Sequence, residues 1–174
     1  MGKKKKITLP KDFSEILKRK HVDEILGVFE YCDINATGGY GKQTTPAFDL
    51  CPDEVLRWLV ENGADLSLVD TWGNTPLHNR ARSRRSNIKT LLELGANPNS
   101  KNKTGNTPLH NAAYSHNTEN AKLLIEYGAV VDSKNNKNIT PLELGLRSCE
   151  NIDIEDTVKL SKVLLELGAK KPIQ

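Results

Sequence analysis

No apolar run in this chain approaches the ~18 residues a membrane-spanning helix needs, so no segment reads as a membrane span. Aromatic residues make up only 5% of the 174, which suits a thin, helix-rich single domain better than a thick core. There are just three cysteines, Cys32, Cys51 and Cys149, odd in number and far apart. They form no disulfide framework and fit a reducing, cytoplasmic setting. Charge of one sign is not in large excess either. A net +3 is too small to announce a nucleic-acid binder. The N-terminus is basic, from Lys3 to Lys6, but no long apolar stretch follows, so it does not read as a secretory signal. Lys6 stands where an N-myristoylation motif on Gly2 needs Ser or Thr. A phosphate-binding Gly-x-x-x-x-Gly-Lys-Ser/Thr loop is missing too.

What the chain has is a beat. Gly73-Asn-Thr-Pro-Leu-His78 returns 32 residues later as Gly105-Asn-Thr-Pro-Leu-His110. A weaker copy, Asn138-Ile-Thr-Pro-Leu-Glu143, follows after 33, and Thr45-Pro46 sits 30 residues earlier. A second phrase keeps the same time: Glu61-Asn-Gly-Ala64, Glu93-Leu-Gly-Ala96, Glu126-Tyr-Gly-Ala129 and Glu166-Leu-Gly-Ala169. A fixed period in this range marks a stacked repeat protein, in which each unit buries its apolar face only against its neighbours.

These phrases resemble the ankyrin repeat over roughly residues 32–170. The resemblance implies an all-α ankyrin-repeat solenoid of stacked helix-turn-helix units with short hairpin-like fingers. Thr-Pro-Leu-His would open each first helix and Gly-Ala would close each second one. Residues 1–11 read as a disordered basic tail and 12–174 as one repeat domain. Within it, 12–36 form an N-terminal cap, with repeats at 37–69, 70–101, 102–134 and 135–174, the last acting as C-terminal cap.

The third repeat is the cleanest. Thr107 should cap its first helix, Pro108 should sit in the first turn, and Gly128 should end the second helix at positive φ. In the first repeat Pro52 interrupts the pattern, so a short first helix is expected before Asp53 caps Glu54 to Asn62. Between Thr140 and Gly168 the fourth repeat is seven residues longer than the third, which predicts an acidic loop or extended turn near Cys149 to Asp156. Arg80 replaces the family's alanine, and its head should reach water.

His78 and His110 are the most conspicuous titratable pair, but one histidine per repeat makes no zinc cluster. The resemblance gives them a local structural role with Thr. His21 and His116 read as solvated turn residues. Gly38 to Gly41 reads as a finger turn, Cys51 as a small core residue, and no catalytic constellation stands out. No cofactor or metal is expected.

The resemblance also implies a partner face of finger tips and first-helix edges. By motif position these are Tyr40 and Lys42, Trp72 and Asn74, Lys103 and Asn106, and Asn136 and Lys137 in the fingers. Asn79, Arg82, Asn111, Tyr114 and Arg147 add the helix edges. Tyr, Trp and Arg are the types enriched at interface hot spots, and Trp72 is the leading candidate. The expected function is non-catalytic protein recognition by a monomer, toward an acidic or mixed surface. Three alternatives stand beside it. One is a narrower bacterial immunity or effector protein with a single target. Another is a salt-dependent nucleic-acid binder using Arg80, Arg82, Arg84 and Arg85, a less favoured partner class. The last is an enzyme with an unrecognised site.

Overall fold

The computed structural model describes residues 6–8, 16, 22–30, 32–37, 52–83, 88–148 and 154–171. Their order is β1 (Lys6–Thr8), α1 (Val22–Val28), β2 (Cys32–Thr37), α2 (Asp53–Glu61), α3 (Pro76–Arg82), α4 (Lys89–Glu93), α5 (Pro108–Tyr114), α6 (Thr118–Glu126), α7 (Pro141–Arg147) and α8 (Ile154–Glu166). The helices stack in a row. First helices pack along one layer, α3 on α5 and α5 on α7. Second helices form the other, with α1 on α2, α2 on α4 and α6 on α8.

Local sequence explains the helix starts. Thr75, Thr107 and Thr140 are extended N-cap residues, each followed by Pro in the first turn and each in a capping box with the third helical residue. Proline there loses no intrahelical hydrogen bond, because the first turn's amides have no helical acceptor. The second phrase explains the stops. Gly63, Gly95, Gly128 and Gly168 all have φ between 87° and 100°, a region closed to most side chains. That reversal brings Ala64, Ala96, Ala129 and Ala169 back to donate to Leu59, Leu91, Leu124 and Leu164, at 2.8–2.9 Å. The same four leucines are buried in one column, and Leu77, Leu109 and Leu142 form a second. Each such side chain stabilises by roughly 1.5–3 kcal/mol when withdrawn from water. The core is therefore a chain of inter-repeat contacts, with Ile25, Val28 and Phe29 extending it to the N-terminal unit.

Three expectations need correction. Lys6–Thr8 belongs to the stretch expected as a tail, yet it is a strand, paired in parallel with β2 so that Lys6 lies opposite Cys32 and Thr8 opposite Thr37. Ile7 and Thr8 are β-branched and suit a sheet edge, which a reading tuned to charge repulsion overlooks. Asp53 is the first residue of α2 and not its cap; Pro52 holds the N-cap position, and the carboxylates of Asp53 and Glu54 sit in the first turn, where the helix dipole favours them. Ile154 to Asp156, expected in a loop, are already helical, so the extra length partly extends α8 to 13 residues. The short first helix of repeat one, with Cys51, and Cys149 lie outside the described residues.

Candidate partner-binding face

Each finger of repeats two to four is a tight turn built around one side chain. In repeat two, Asp70 Oδ1 accepts the amides of Trp72 and Asn74, both at 2.9 Å. In repeat three, Asn102 Oδ1 takes those of Thr104 and Asn106 at 3.0 Å. In repeat four, Asn135 Oδ1 takes those of Lys137 and Ile139 at 2.9 and 3.1 Å. The fingers are then tied to one another. Lys103 N donates to Trp72 O at 3.1 Å, and Asn136 N to Thr104 O at 3.0 Å. Asn102 Nδ2 donates to Asn74 Oδ1 at 2.8 Å, and Asn135 Nδ2 to Asn106 Oδ1 at 2.7 Å. Sequence reasoning missed this ladder. Its signal was Asp70, Asn102 and Asn135 recurring three residues before Gly73, Gly105 and Asn138.

The histidines lock finger to helix. Thr75 N donates to His78 Nδ1 at 3.1 Å, so Nδ1 carries no proton and Nε2–H donates to Asn106 O at 3.0 Å in the next finger. His110 repeats this with Thr107 N at 3.1 Å and Ile139 O at 3.0 Å. Burial holds both imidazoles below their usual range, only partly opposed by the hydrogen bonds to Asn106 O and Ile139 O. In repeat four, Glu143 replaces the histidine. It accepts from Thr140 N at 3.0 Å but reaches no later finger. His78 and His110 thus hold two different neighbours. Among the described residues no group of His, Cys, Asp and Glu could hold a metal.

The nominated contact residues divide by what their side chains do. Trp72 is 66% exposed and Tyr114 46%. The Arg82 guanidinium lies over the Tyr114 ring, 5.3 Å from its centroid, and joins repeats two and three on the surface. Lys103, Lys137 and Arg147 are exposed, as is Asn136, whose Nδ2 donates to Lys103 O at 3.0 Å. Asn74, Asn79, Asn106 and Asn111 are half-buried and act as struts. Asn79 Nδ2 reaches Asp70 Oδ2 at 3.4 Å and Asn111 Nδ2 reaches His78 O at 3.1 Å. Tyr40 and Lys42 lie outside the described residues.

Two side chains sit elsewhere than the sequence suggested. Arg80 is only 3% exposed, so its head does not reach water. His116 is also buried, in a left-handed turn at φ 52°, and not solvated. Arg84, Arg85 and His21 lie outside the described residues.

This geometry of capped first helix, glycine-closed second helix and braced finger is matched at the level of sequence. The family described as Ankyrin repeats (3 copies) matches residues 47–138 and again 81–173, together most of the chain. The chain is an ankyrin-repeat protein. Ankyrin repeats are in general protein–protein interaction modules. A comparison with curated proteins gives no match. No described helix of this ankyrin protein is long and apolar enough to cross a membrane.

Proposed function

We propose that this ankyrin-repeat protein is a non-catalytic recognition module that docks a partner protein on its finger and first-helix face. The observation that carries this reading is the exposed aromatic pair, Trp72 and Tyr114, with Arg82 stacked on the latter. Large aromatic side chains are seldom left this open unless they pack on something else. They stand on fingers and helices already cross-braced by backbone and amide hydrogen bonds. Little ordering entropy is then lost on docking. Exposed Arg82, Lys103, Lys137 and Arg147 favour a partner with an acidic or mixed surface, encountered in the cytoplasm. The ring nitrogens of His78 and His110 are engaged in structural hydrogen bonds, which leaves them no catalytic part.

The nucleic-acid reading loses Arg80, which is buried. The test is recovery of partners from native cells by the full chain and by a Trp72→Ala/Arg82→Ala/Tyr114→Ala variant. A protein retained by the first, lost by the second and displaced by salt supports the proposal. Equal recovery by a folded variant contradicts it.

A further inference from the structure

Apolar side chains come to the surface in the fourth repeat. Ala81 and Ala113 are fully buried, but their counterpart Leu146 is 41% exposed. Leu92 is buried and Ile125 half-buried, but Leu165, also four residues before the closing Ala, is 37% exposed. Eleven before the closing Ala, Asp53 of repeat one is exposed but charged and Thr118 is buried, whereas Val158 is apolar and 60% exposed. Ala81 and Ala113 are each followed by a further repeat whose first helix packs on their own. Beyond α7 and α8 no described element covers Leu146, Val158 or Leu165. Ile154, 78% exposed, adds to the same side. A repeat face that no neighbour covers is ordinarily polar, so an apolar one calls for an occupant.

A further ankyrin-type unit is a poor occupant. Inner repeats approach closely; a Cβ on Gly145 would lie 3.3 Å from Ala113 O. Leu146 puts a large side chain where Ala81 and Ala113 allow that approach. The α8 pattern suits a helix instead. Ile154, Val158, Ser161 and Leu165 follow one another at spacings of four, three and four, the seam of a coiled coil. Glu155 and Lys162 are exposed and flank this seam on one side, two turns apart. When two such helices meet antiparallel about a twofold axis, Glu155 of each faces Lys162 of the other. The described exposed residues of and beside α1 include Asp23, Glu24 and Glu30, an acidic surface that matches the apolar α8 seam poorly in a head-to-tail stack.

We infer that the α7–α8 end is a self-association surface, on which two copies of this chain meet through antiparallel α8 helices. The surface is distinct from the face that carries Trp72. Sedimentation of the full chain between about 1 and about 200 µM spans the range in which a small isologous interface dissociates. The expected result is a monomer passing to a dimer and to nothing larger. Val158→Lys, at an exposed position, should keep the helical signal and weaken the dimer at least about tenfold. Glu155→Lys should weaken it, and Glu155→Lys/Lys162→Glu should restore it. The Trp72→Ala/Arg82→Ala/Tyr114→Ala variant should dimerise as the wild type does. A monomer throughout, a growing series of larger species, or a Val158→Lys protein that dimerises normally overturns the inference. So would loss of dimer in the triple variant.

Discussion

At the scale of single residues, His78 and His110 join the local capping of a helix to the stacking of repeats. One ring nitrogen serves the residue that opens the helix and the other serves the next finger. Because burial depresses both, the unfolded chain binds more protons than the folded one just below pH ~6.5. Their contribution to stability is therefore complete above that pH and is lost as pH falls through the folded values. Each can add a slope of up to about 1.4 kcal/mol per pH unit. His78→Gln should cost about 1–3 kcal/mol at pH ~7.5 and flatten the decline between about pH 6.5 and 5. Urea unfolding across that range checks it, and an unchanged slope would show that His78 titrates alike in both states. Gly105 gives a second residue-scale prediction. It sits at φ 77°, and an added Cβ would lie 2.6 Å from the backbone N of Asn136. Gly105→Ala should cost at least about 1–2 kcal/mol from the left-handed backbone alone, read as a lowered urea midpoint.

At the scale of elements, the second helices are braced by asparagine. Asn117 caps α6 by accepting from Asn120 N at 3.1 Å and ties it to the end of α3 by donating to Ser83 O at 3.0 Å. Asn120 Nδ2 adds contacts to Ala81 O and Ser83 O at 3.2 and 3.3 Å. Losing Asn117 removes a cap and one of the side-chain amides that reach the half-buried Ser83 carbonyl. Asn117→Ala should therefore destabilise by about 1–3 kcal/mol, more than a surface cap does. Equilibrium unfolding gives the value, and a loss below about 0.5 kcal/mol would show that the Asn120 Nδ2 contact suffices for Ser83 O. These braces show what a sequence can and cannot announce. Thr-Pro at a helix start and Gly-Ala at its end are legible because they act within their own unit. The Asp70–Asn102–Asn135 ladder and the burial of Arg80 and His116 depend on what the neighbouring unit places beside them. A single repeat read alone says nothing of that. Likewise Lys6–Thr8 became a strand through pairing with Cys32–Thr37, some 25 residues on, while its own residues announced mainly charge.

At the scale of the whole molecule, stacking ties the parts of the surface to one another. Fingers share backbone hydrogen bonds, histidines bridge successive units, and Arg82 over Tyr114 extends the bracing to the outside. The architecture was legible from the period, and so were the exposed positions Trp72, Arg82 and Tyr114. The half-buried Asn74, Asn79, Asn106 and Asn111 were not distinguishable from contact residues, because an amide reads the same whether it faces water or a neighbouring finger. The apolar α7–α8 end was hidden for a related reason. Leucines at helical spacing look like core until the missing cover is seen. The central claim is that the aromatic and basic side chains of this braced face bind a partner. The most direct measurement is calorimetry of the identified partner with the full chain and with Trp72→Ala, whose fold is first verified by circular dichroism. The account predicts a loss of at least tenfold in affinity, about 1.4 kcal/mol or more, for this one exposed indole. An unchanged affinity, with the helical signal intact, would place the partner on some other surface and contradict it.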